Sequence, residues 1–167
     1  FAERGIYTIV DSHQDIFSRA LCGEGVPTFY FPEWDTLDHV CPWSPIGLLF
    51  SAFGNCLPFS TYEVPIDPIT KLPIPEECNK RNFLKMYTSP EVASAFEQFW
   101  NNTNGLQDKF MDYWRVVAAK FVGNPDVLGY DIINEPFASN LYKDSSLFYD
   151  QKKFDREILQ KFYSKAT

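Results

Sequence analysis

Two short apolar runs carry the strongest β-strand signal in the chain. Residues 6–10 (Ile-Tyr-Thr-Ile-Val) and residues 127–133 (Val-Leu-Gly-Tyr-Asp-Ile-Ile) are rich in β-branched and aromatic side chains. An apolar run without a polar residue at every second position is typical of a strand that is buried on both faces of a parallel sheet. We therefore predict two parallel strands at these positions, each covered on both sides.

Between and after the strands, apolar residues recur at spacings of three and four, which predicts helices. Ser89 followed by Pro90 is a typical helix start, and the apolar positions that follow extend this helix to Trp100. The same spacing predicts a second helix from about Gly105 to Phe121 and a third over residues 145–165. The order of elements is therefore strand, long loop, two helices, strand and helix.

The segment from Arg19 to about Lys80 keeps neither periodicity for long, and it contains most of the prolines and all four cysteines. A loop of this length in a compact domain is usually functional, as a lid or as a wall of a binding site. The order of elements is typical of a parallel sheet wrapped by helices, so the predicted fold class is α/β. Polar clusters follow both strands, and strand carboxyl ends carry the active site in (β/α)₈ barrels and in open doubly wound sheets.

Composition narrows the class of protein. With 45% apolar and 17% aromatic residues, the chain has enough material for a core, which excludes a disordered chain. The net charge of −7 argues against nucleic acid and against anionic membrane surfaces as main partners. No glycine-rich phosphate-binding motif follows either strand, so nucleotide binding is not predicted. The chain begins at Phe1 and stops at Thr167 within a helical pattern, and we expect it to be a piece of a larger protein.

The four cysteines are Cys22, Cys41, Cys56 and Cys78, and none belongs to a C-x-x-C pair, which disfavours zinc binding. We predict two disulfides that staple the long loop in an oxidising compartment, with the three ways of pairing left open. The glycosylation sequon at residues 101–103 (Asn-Asn-Thr) fits a secretory or lysosomal route. The protein is therefore expected to be secreted or to reside in the lumen of an endomembrane compartment.

The second strand leads into Asn134-Glu135-Pro136. A strand end places a carboxyl group rigidly, and Pro136 ends the strand and fixes the direction of the chain. Glycoside cleavage needs one carboxylic acid to protonate the leaving oxygen, and partial burial keeps such an acid protonated near the working pH. We predict Glu135 as this acid and Asn134 as a ligand for a sugar hydroxyl. The alternative is a turn at the start of a helix, with Glu135 in solvent. The second carboxylate that the chemistry requires is not evident in the chain.

His13 and Asp15 follow the first strand. Residues two apart in an extended chain point to the same side, so both are predicted to face one pocket, His13 donating to a sugar hydroxyl and Asp15 accepting from one. The alternative is a His-Asp pair that only holds a loop. A metal site is disfavoured because His39, the other histidine, lies in the long loop. A triad with Ser12 is disfavoured because adjacent residues of a strand point to opposite faces. No metal and no cofactor are predicted.

Two further features of the long loop have more than one interpretation. Glu24 is conceivable as a second carboxylate, but it lies on a flexible segment, the turn of residues 22–27, and not at a strand end, and rigid elements place catalytic groups better. The aromatic residues 29–31 and Trp34 form a patch that we predict to pack within the loop. Contact with a lipid and stacking on a sugar are the alternatives for this patch.

Four segments together resemble a known family. Residues 11–15 (Asp-Ser-His-Gln-Asp), 17–19 (Phe-Ser-Arg) and 22–27 (Cys-Gly-Glu-Gly-Val-Pro) are similar to the third-strand region of endoglycoceramidases. Residues 129–136 (Gly-Tyr-Asp-Ile-Ile-Asn-Glu-Pro) resemble the fourth-strand signature of family-five glycoside hydrolases of clan A. The resemblance covers nearly the whole chain and is strongest to the animal, cnidarian-type enzymes.

The resemblance implies part of a (β/α)₈ barrel, about strands 3 to 4 with a long loop after strand 3. It also implies hydrolysis, with retention, of the β-glucosyl bond between an oligosaccharide and ceramide in glycosphingolipids. By position in the motifs, Glu135 would be the general acid/base, and His13, Asp15 and Asn134 would bind the glucose next to the ceramide. The family's nucleophile is a glutamate at the end of the seventh strand, so we expect this chain alone to be inactive.

The resemblance leaves two alternatives open. One is another β-glucosidase of the same clan, such as a steryl-glucosidase or a β-glucanase. The other is a barrel that binds glycolipids without catalysis. The expected partner is a glycosphingolipid, with transient contact to a membrane or micelle surface and no contact with nucleic acid.

Overall fold

The computed structural model describes residues 1–150 and 152–166 of the chain. Its sheet consists of two parallel strands, β1 (Thr8–Asp11) and β2 (Val127–Asp131). In the register of the sheet, Ile9 pairs with Gly129 and Asp11 pairs with Asp131. The predicted pair of parallel strands is therefore confirmed, and residues far apart in sequence meet at the carboxyl end of the sheet.

Seven α-helices occupy the described part of the chain: α1 (Pro45–Ala52), α2 (Pro75–Cys78), α3 (Phe83–Tyr87), α4 (Pro90–Trp100), α5 (Leu106–Phe121), α6 (Ser146–Tyr149) and α7 (Gln160–Ala166). A π-helical turn over Asp155–Leu159 leads into α7. Among the described helices, none is both long enough and apolar enough to cross a lipid bilayer.

The two helices predicted between the strands are confirmed as α4 and α5. The Ser89 hydroxyl accepts a hydrogen bond from the Val92 amide at 3.4 Å, so the predicted cap starts α4. The helix α5 begins one residue after Gly105, whose φ of +70° is a backbone conformation that glycine adopts without strain. Local sequence signals therefore determine where each of these two helices begins.

The main core lies where α4 passes beneath the turn that follows β1. Phe17 contacts Phe96 and Phe99 of α4, with ring centroids 5.0 and 6.1 Å apart. All three side chains are at most 2% exposed. Edge-to-face packing of large rings buries much apolar area, and it fixes the position of the turn on the helix.

The long segment of residues 19–80 is cross-linked, as predicted, by two disulfides. Cys22 pairs with Cys78, and Cys41 pairs with Cys56. The segment is less irregular than predicted, because it contains α1 and α2 as well as several 3-10 turns. The signal for α1 is the same as that for α4, since the Ser44 hydroxyl caps the Gly47 amide at 2.9 Å.

A buried carboxylate anchors this long segment on α4. Glu91 is 1% exposed, and its Oε2 accepts a hydrogen bond from the Phe59 amide at 3.0 Å. Its Oε1 lies 3.1 Å from Nδ1 of His39, whose Nε2 donates to the Trp34 carbonyl at 2.9 Å. A carbonyl only accepts, so Nε2 of His39 is the donor in this contact. A partner at each carboxylate oxygen of Glu91 offsets the cost of burying its charge.

The prediction that both strands are buried on both faces is wrong. Ile9 is 64% exposed and Leu128 is 65% exposed. In the described residues the sheet has only two strands, and two strands have too few neighbours to be covered on both faces.

The prediction of one continuous helix over residues 145–165 is also wrong. At Asp150 the backbone leaves the helical region, with φ −100° and ψ +88°. Its carbonyl accepts a hydrogen bond from the Lys153 amide at 2.9 Å, and its carboxylate accepts one from the Lys152 amide at 3.1 Å. Aspartate side chains compete in this way for backbone donors, and a helical apolar pattern does not show it.

Candidate active site

The ends of the two strands stay paired beyond the regular sheet. The Ser12 amide donates to the Asp131 carbonyl at 3.1 Å, and the Asn134 amide donates to the Ser12 carbonyl at 3.1 Å. The strand β2 ends at Asp131 and not at Ile133 as predicted, because the carbonyl of Ile132 turns away to accept from Nε1 of Trp114 at 2.9 Å. These contacts bring the Asn-Glu-Pro segment beside the residues that follow β1.

Gln14 joins the two segments through its side chain. It is 4% exposed, and its Nε2 donates to the carbonyls of Asn134 and Glu135 at 2.8 and 2.9 Å. In return, Nδ2 of Asn134 donates to the Gln14 carbonyl at 3.2 Å. The sequence prediction assigned no role to Gln14. Alternation in an extended segment directs Gln14 away from His13, but it does not identify the backbone groups that Gln14 contacts.

Glu135 is exposed to solvent, so the expectation of partial burial is wrong for the described residues. Its backbone φ is +38°, in the left-handed region that non-glycine residues rarely adopt. Asn134 next to it is half-buried. The side chain of Glu135 is therefore accessible to solvent, while hydrogen bonds hold its backbone in place.

The structure brings His13 and Asp15 together, as their spacing predicts. Nε2 of His13 lies 3.1 Å from a carboxylate oxygen of Asp15, and Nδ1 lies 3.4 Å from one of Asp11. The hydrogen bond to Asp15 raises the pKa of His13 above its ordinary value, although partial desolvation opposes the rise, and Asp11 adds to it. This group therefore offers a ligand both N–H donors and carboxylate acceptors.

Glu24 is held beside this group by the backbone. The Asp15 amide donates to the Glu24 carbonyl at 3.0 Å, and the Glu24 amide donates to the Asp15 carbonyl at 2.7 Å. A Cβ atom at Gly23 would lie 1.9 Å from the Asp15 carbonyl oxygen, so only glycine fits there. The assumption that Glu24 lies on a flexible segment is therefore wrong.

His13, Asp15 and Glu24 have ligand atoms within 4.8 Å of one another, a spacing that suits a metal ion. The same atoms already interact without an ion, since Nε2 of His13 lies 3.1 Å from Asp15 and 3.9 Å from Glu24. Ion pairing among the side chains is enough to account for the arrangement. The absence of a metal therefore stays a prediction.

Two cavities flank this group of side chains. One, of about 310 Å³, lies beside Asp15 and Glu24 and extends to Arg19 and Pro73. The other, of about 400 Å³, lies beside His13 and has a mainly apolar wall, which includes Val26, Tyr30, Phe110 and Tyr113. A ligand bound at His13 therefore has room on both sides, with polar residues on one and aromatic residues on the other.

Comparison with known proteins gives consistent matches. Residues 86–156 match the model of the cellulase family, glycosyl hydrolase family 5. Over 147 residues, 87% of its length, the chain is 35% identical to an endoglycoceramidase of Cyanea nozakii, of which it covers 26%. It is 34% identical to an endoglycoceramidase of Hydra vulgaris over 146 residues, covering 87% of this chain and 25% of that protein. A solved structure, endo-glycoceramidase II from Rhodococcus sp., matches 92% of this chain and 28% of its own, with 25% identity and a TM-score of 0.50.

These matches confirm the resemblance and the fold predicted from the sequence, part of a (β/α)₈ barrel. The chain spans about a quarter of the length of the curated relatives it matches. The matched family segment runs from the end of α3 past α6 and contains Asn134 and Glu135.

Proposed function

Because the chain belongs to glycosyl hydrolase family 5, we propose that it contributes the acid/base half of the active site of an endoglycoceramidase-like enzyme. The observation that carries the proposal is the junction of the two strand ends. There Glu135 is joined through Gln14 to the segment that bears His13 and Asp15. A carboxyl group beside a set of hydroxyl-binding side chains is the arrangement that glycoside hydrolysis requires.

In this proposal Glu135 acts twice. It protonates the glycosidic oxygen while the bond to the sugar breaks, and it then takes a proton from the water molecule that releases the sugar. A reaction with retention needs a second carboxylate about 5–5.5 Å from the first. We propose that residues outside this sequence supply that nucleophile.

His13, Asp15 and Asn134 are proposed to bind the glucose next to the scissile bond. The raised pKa of His13 favours the imidazolium, in which Nε2 donates to Asp15 at 3.1 Å and Nδ1, 3.4 Å from Asp11, is the donor more open to a sugar hydroxyl. Asp15 accepts from a sugar hydroxyl. Nδ2 of Asn134 gives one hydrogen to Gln14, and its second hydrogen and its oxygen are suited to a hydroxyl group of the sugar.

The substrate is proposed to be a glycosphingolipid, which is supported by the names of the cnidarian relatives. The test uses the full-length protein that contains this sequence and lactosylceramide in detergent micelles. We expect release of intact lactose together with ceramide, detected by mass spectrometry. Release of galactose first would instead indicate a β-glycosidase that removes sugars stepwise. Binding without any product would indicate a glycolipid-binding barrel. Residues 1–167 alone should give no product, because they lack the nucleophile.

We also propose that the protein enters the secretory route, where both disulfides are stable. Asn101 lies in the sequon at the exposed end of α4, so an N-linked glycan is expected at this residue after expression in animal cells. The measurement is the loss of mass on treatment with an N-glycosidase. Asn101→Gln should remove that loss, whereas Asn104→Gln, outside the sequon, should not. An unmodified Asn101 in secreted protein would contradict the expectation.

A further inference from the structure

We propose that Gln14 is a positioning residue for Glu135, an inference that rests on the proposed function. Its amide group holds the backbone of Glu135 in the conformation that presents the carboxyl group to the scissile oxygen. The contacts join residues that are 120 and 121 positions apart in sequence. No other side chain in the described residues donates to both of these carbonyls.

The geometry of the contact is unusual for an extended chain. Consecutive carbonyl groups of a strand point in opposite directions, but those of Asn134 and Glu135 converge on the single Nε2 of Gln14, at 2.8 and 2.9 Å. The left-handed conformation at Glu135, with φ +38°, permits this convergence. Such a conformation is strained for a residue other than glycine and persists only when its surroundings impose it. The amide group of Gln14 supplies that constraint.

Gln14 is itself fixed in place. Its Oε1 accepts a hydrogen bond from the Phe17 amide at 3.2 Å, because the chain turns sharply at Ile16 and Phe17, where φ is +53° and +69°. Both residues of this turn are at most 2% exposed and belong to the core. The core turn therefore fixes the amide group of Gln14, and this group in turn holds the backbone of Glu135.

Tyr87 of α3 completes the arrangement. Its hydroxyl lies 3.2 Å from Nε2 of Gln14 and 3.4 Å from the Glu135 carbonyl. Burial raises the pKa of the Tyr87 hydroxyl, so the group stays protonated and able to donate, although the contact with Gln14 opposes the rise. The ring packs on Phe137 with centroids 5.5 Å apart, so Tyr87 reaches the site from a rigid position.

If Gln14 positions Glu135, a substitution of Gln14 should lower the rate by a factor that depends on the leaving group of the substrate. A loss of stability would lower the rates for all substrates equally. The leaving group of a glycolipid is a poor one and needs a well-placed acid, whereas a nitrophenolate departs without a proton. A displacement of about 1 Å from the reactive geometry costs on the order of 100-fold in rate. A misplaced Glu135 should therefore harm glycolipid cleavage much more than cleavage of an aryl glycoside.

The test compares kcat/KM for lactosylceramide and for dinitrophenyl β-lactoside in the full-length protein. Gln14→Met keeps the length of the side chain but removes the donor, and it is expected to lower kcat/KM about 10- to 100-fold for the glycolipid and less than about 3-fold for the aryl glycoside. Gln107→Met is the matched control, because Gln107 is also 4% exposed and its amide donates to a single backbone carbonyl, that of Phe99. The control should leave the ratio of the two values unchanged.

Tyr87→Phe provides a second variant that keeps the ring packing, and it should shift the ratio in the same direction by a smaller factor. It decides the question if Gln14→Met does not fold. Equal losses on both substrates, or no loss in either variant, would overturn the positioning role while the proposed function stands. A wild-type protein that is inactive on both substrates would overturn the proposed function, and this inference with it.

Discussion

Glu135→Gln is expected to lower kcat for a glycosphingolipid by about 10²- to 10⁴-fold in the full-length protein, with little change in stability. Glutamine has the shape of glutamate but neither gives nor takes the proton. The exposure of the Glu135 side chain means that no packing depends on its charge. The backbone contacts from Gln14 to Asn134 and Glu135 are retained, since they use carbonyl groups only.

Two controls distinguish the loss of proton transfer by Glu135 from a general disturbance of the site. Glu24→Gln makes the same change in an exposed side chain beside His13, and it should cost no more than about 10-fold, the range of a substrate contact. Azide attacks the glycosyl intermediate without a general base, so it should restore turnover of an activated aryl glycoside in the Glu135 variant. Unchanged turnover in Glu135→Gln, or an equal loss in Glu24→Gln, would contradict the assignment of Glu135.

Removal of the Cys22–Cys78 disulfide is expected to lower the free energy of unfolding by about 4 kcal/mol, because the bond closes a long loop. The partners are 56 residues apart, and those of the Cys41–Cys56 disulfide are 15 apart, for which the same relation gives about 3 kcal/mol. The measurement is the urea-induced unfolding of double serine variants of the full-length protein. A larger effect from the shorter loop would contradict a role in constraining the unfolded chain.

Removal of one disulfide or the other should differ more in its effect on activity than in its effect on stability. Cys22 adjoins Gly23, and Gly23 is pressed against the carbonyl of Asp15 in the site. Loss of the bond to Cys78 therefore loosens the backbone that holds Asp15 and Glu24. The Cys41–Cys56 pair packs with Ile46 of α1 and Tyr142 in a separate cluster of buried side chains. Its removal should leave kcat/KM within about 3-fold of the parent value, which makes it the matched control.

The parts of the fold that follow from local signals were predictable. The cap at Ser89 and the glycine before Leu106 fix α4 and α5 to within a residue. The break at Asp150 was not predictable from periodicity, because a side chain that captures backbone amides leaves the apolar spacing unchanged. The exposure of Ile9 depends on how many strands surround it, which no local window contains.

In the candidate site, too, local features could be predicted from the sequence and contacts between distant segments could not. The spacing of His13 and Asp15 was sufficient to place them together, because alternation in an extended segment is a local property. The contacts of Gln14 with Asn134 and Glu135 depend on the register of two distant segments. That register follows from sheet pairing and core packing, so a polar residue between two predicted ligands gave no indication of its own role.

The hydrogen bond from Gln14 to the Asn134 carbonyl joins residues 120 positions apart, and this separation also affects the order of folding. Contacts of such high sequence separation form late, because the entropy of closing the intervening chain must first be offset by packing and cross-links nearer in sequence. We therefore expect a nascent chain to form its helices and the small disulfide-closed loop before Glu135 reaches its final position. Local openings can occur without global unfolding, and the Asn134 amide is bonded to the Ser12 carbonyl across the two strand ends, so amide exchange at Asn134 should report on the integrity of this junction.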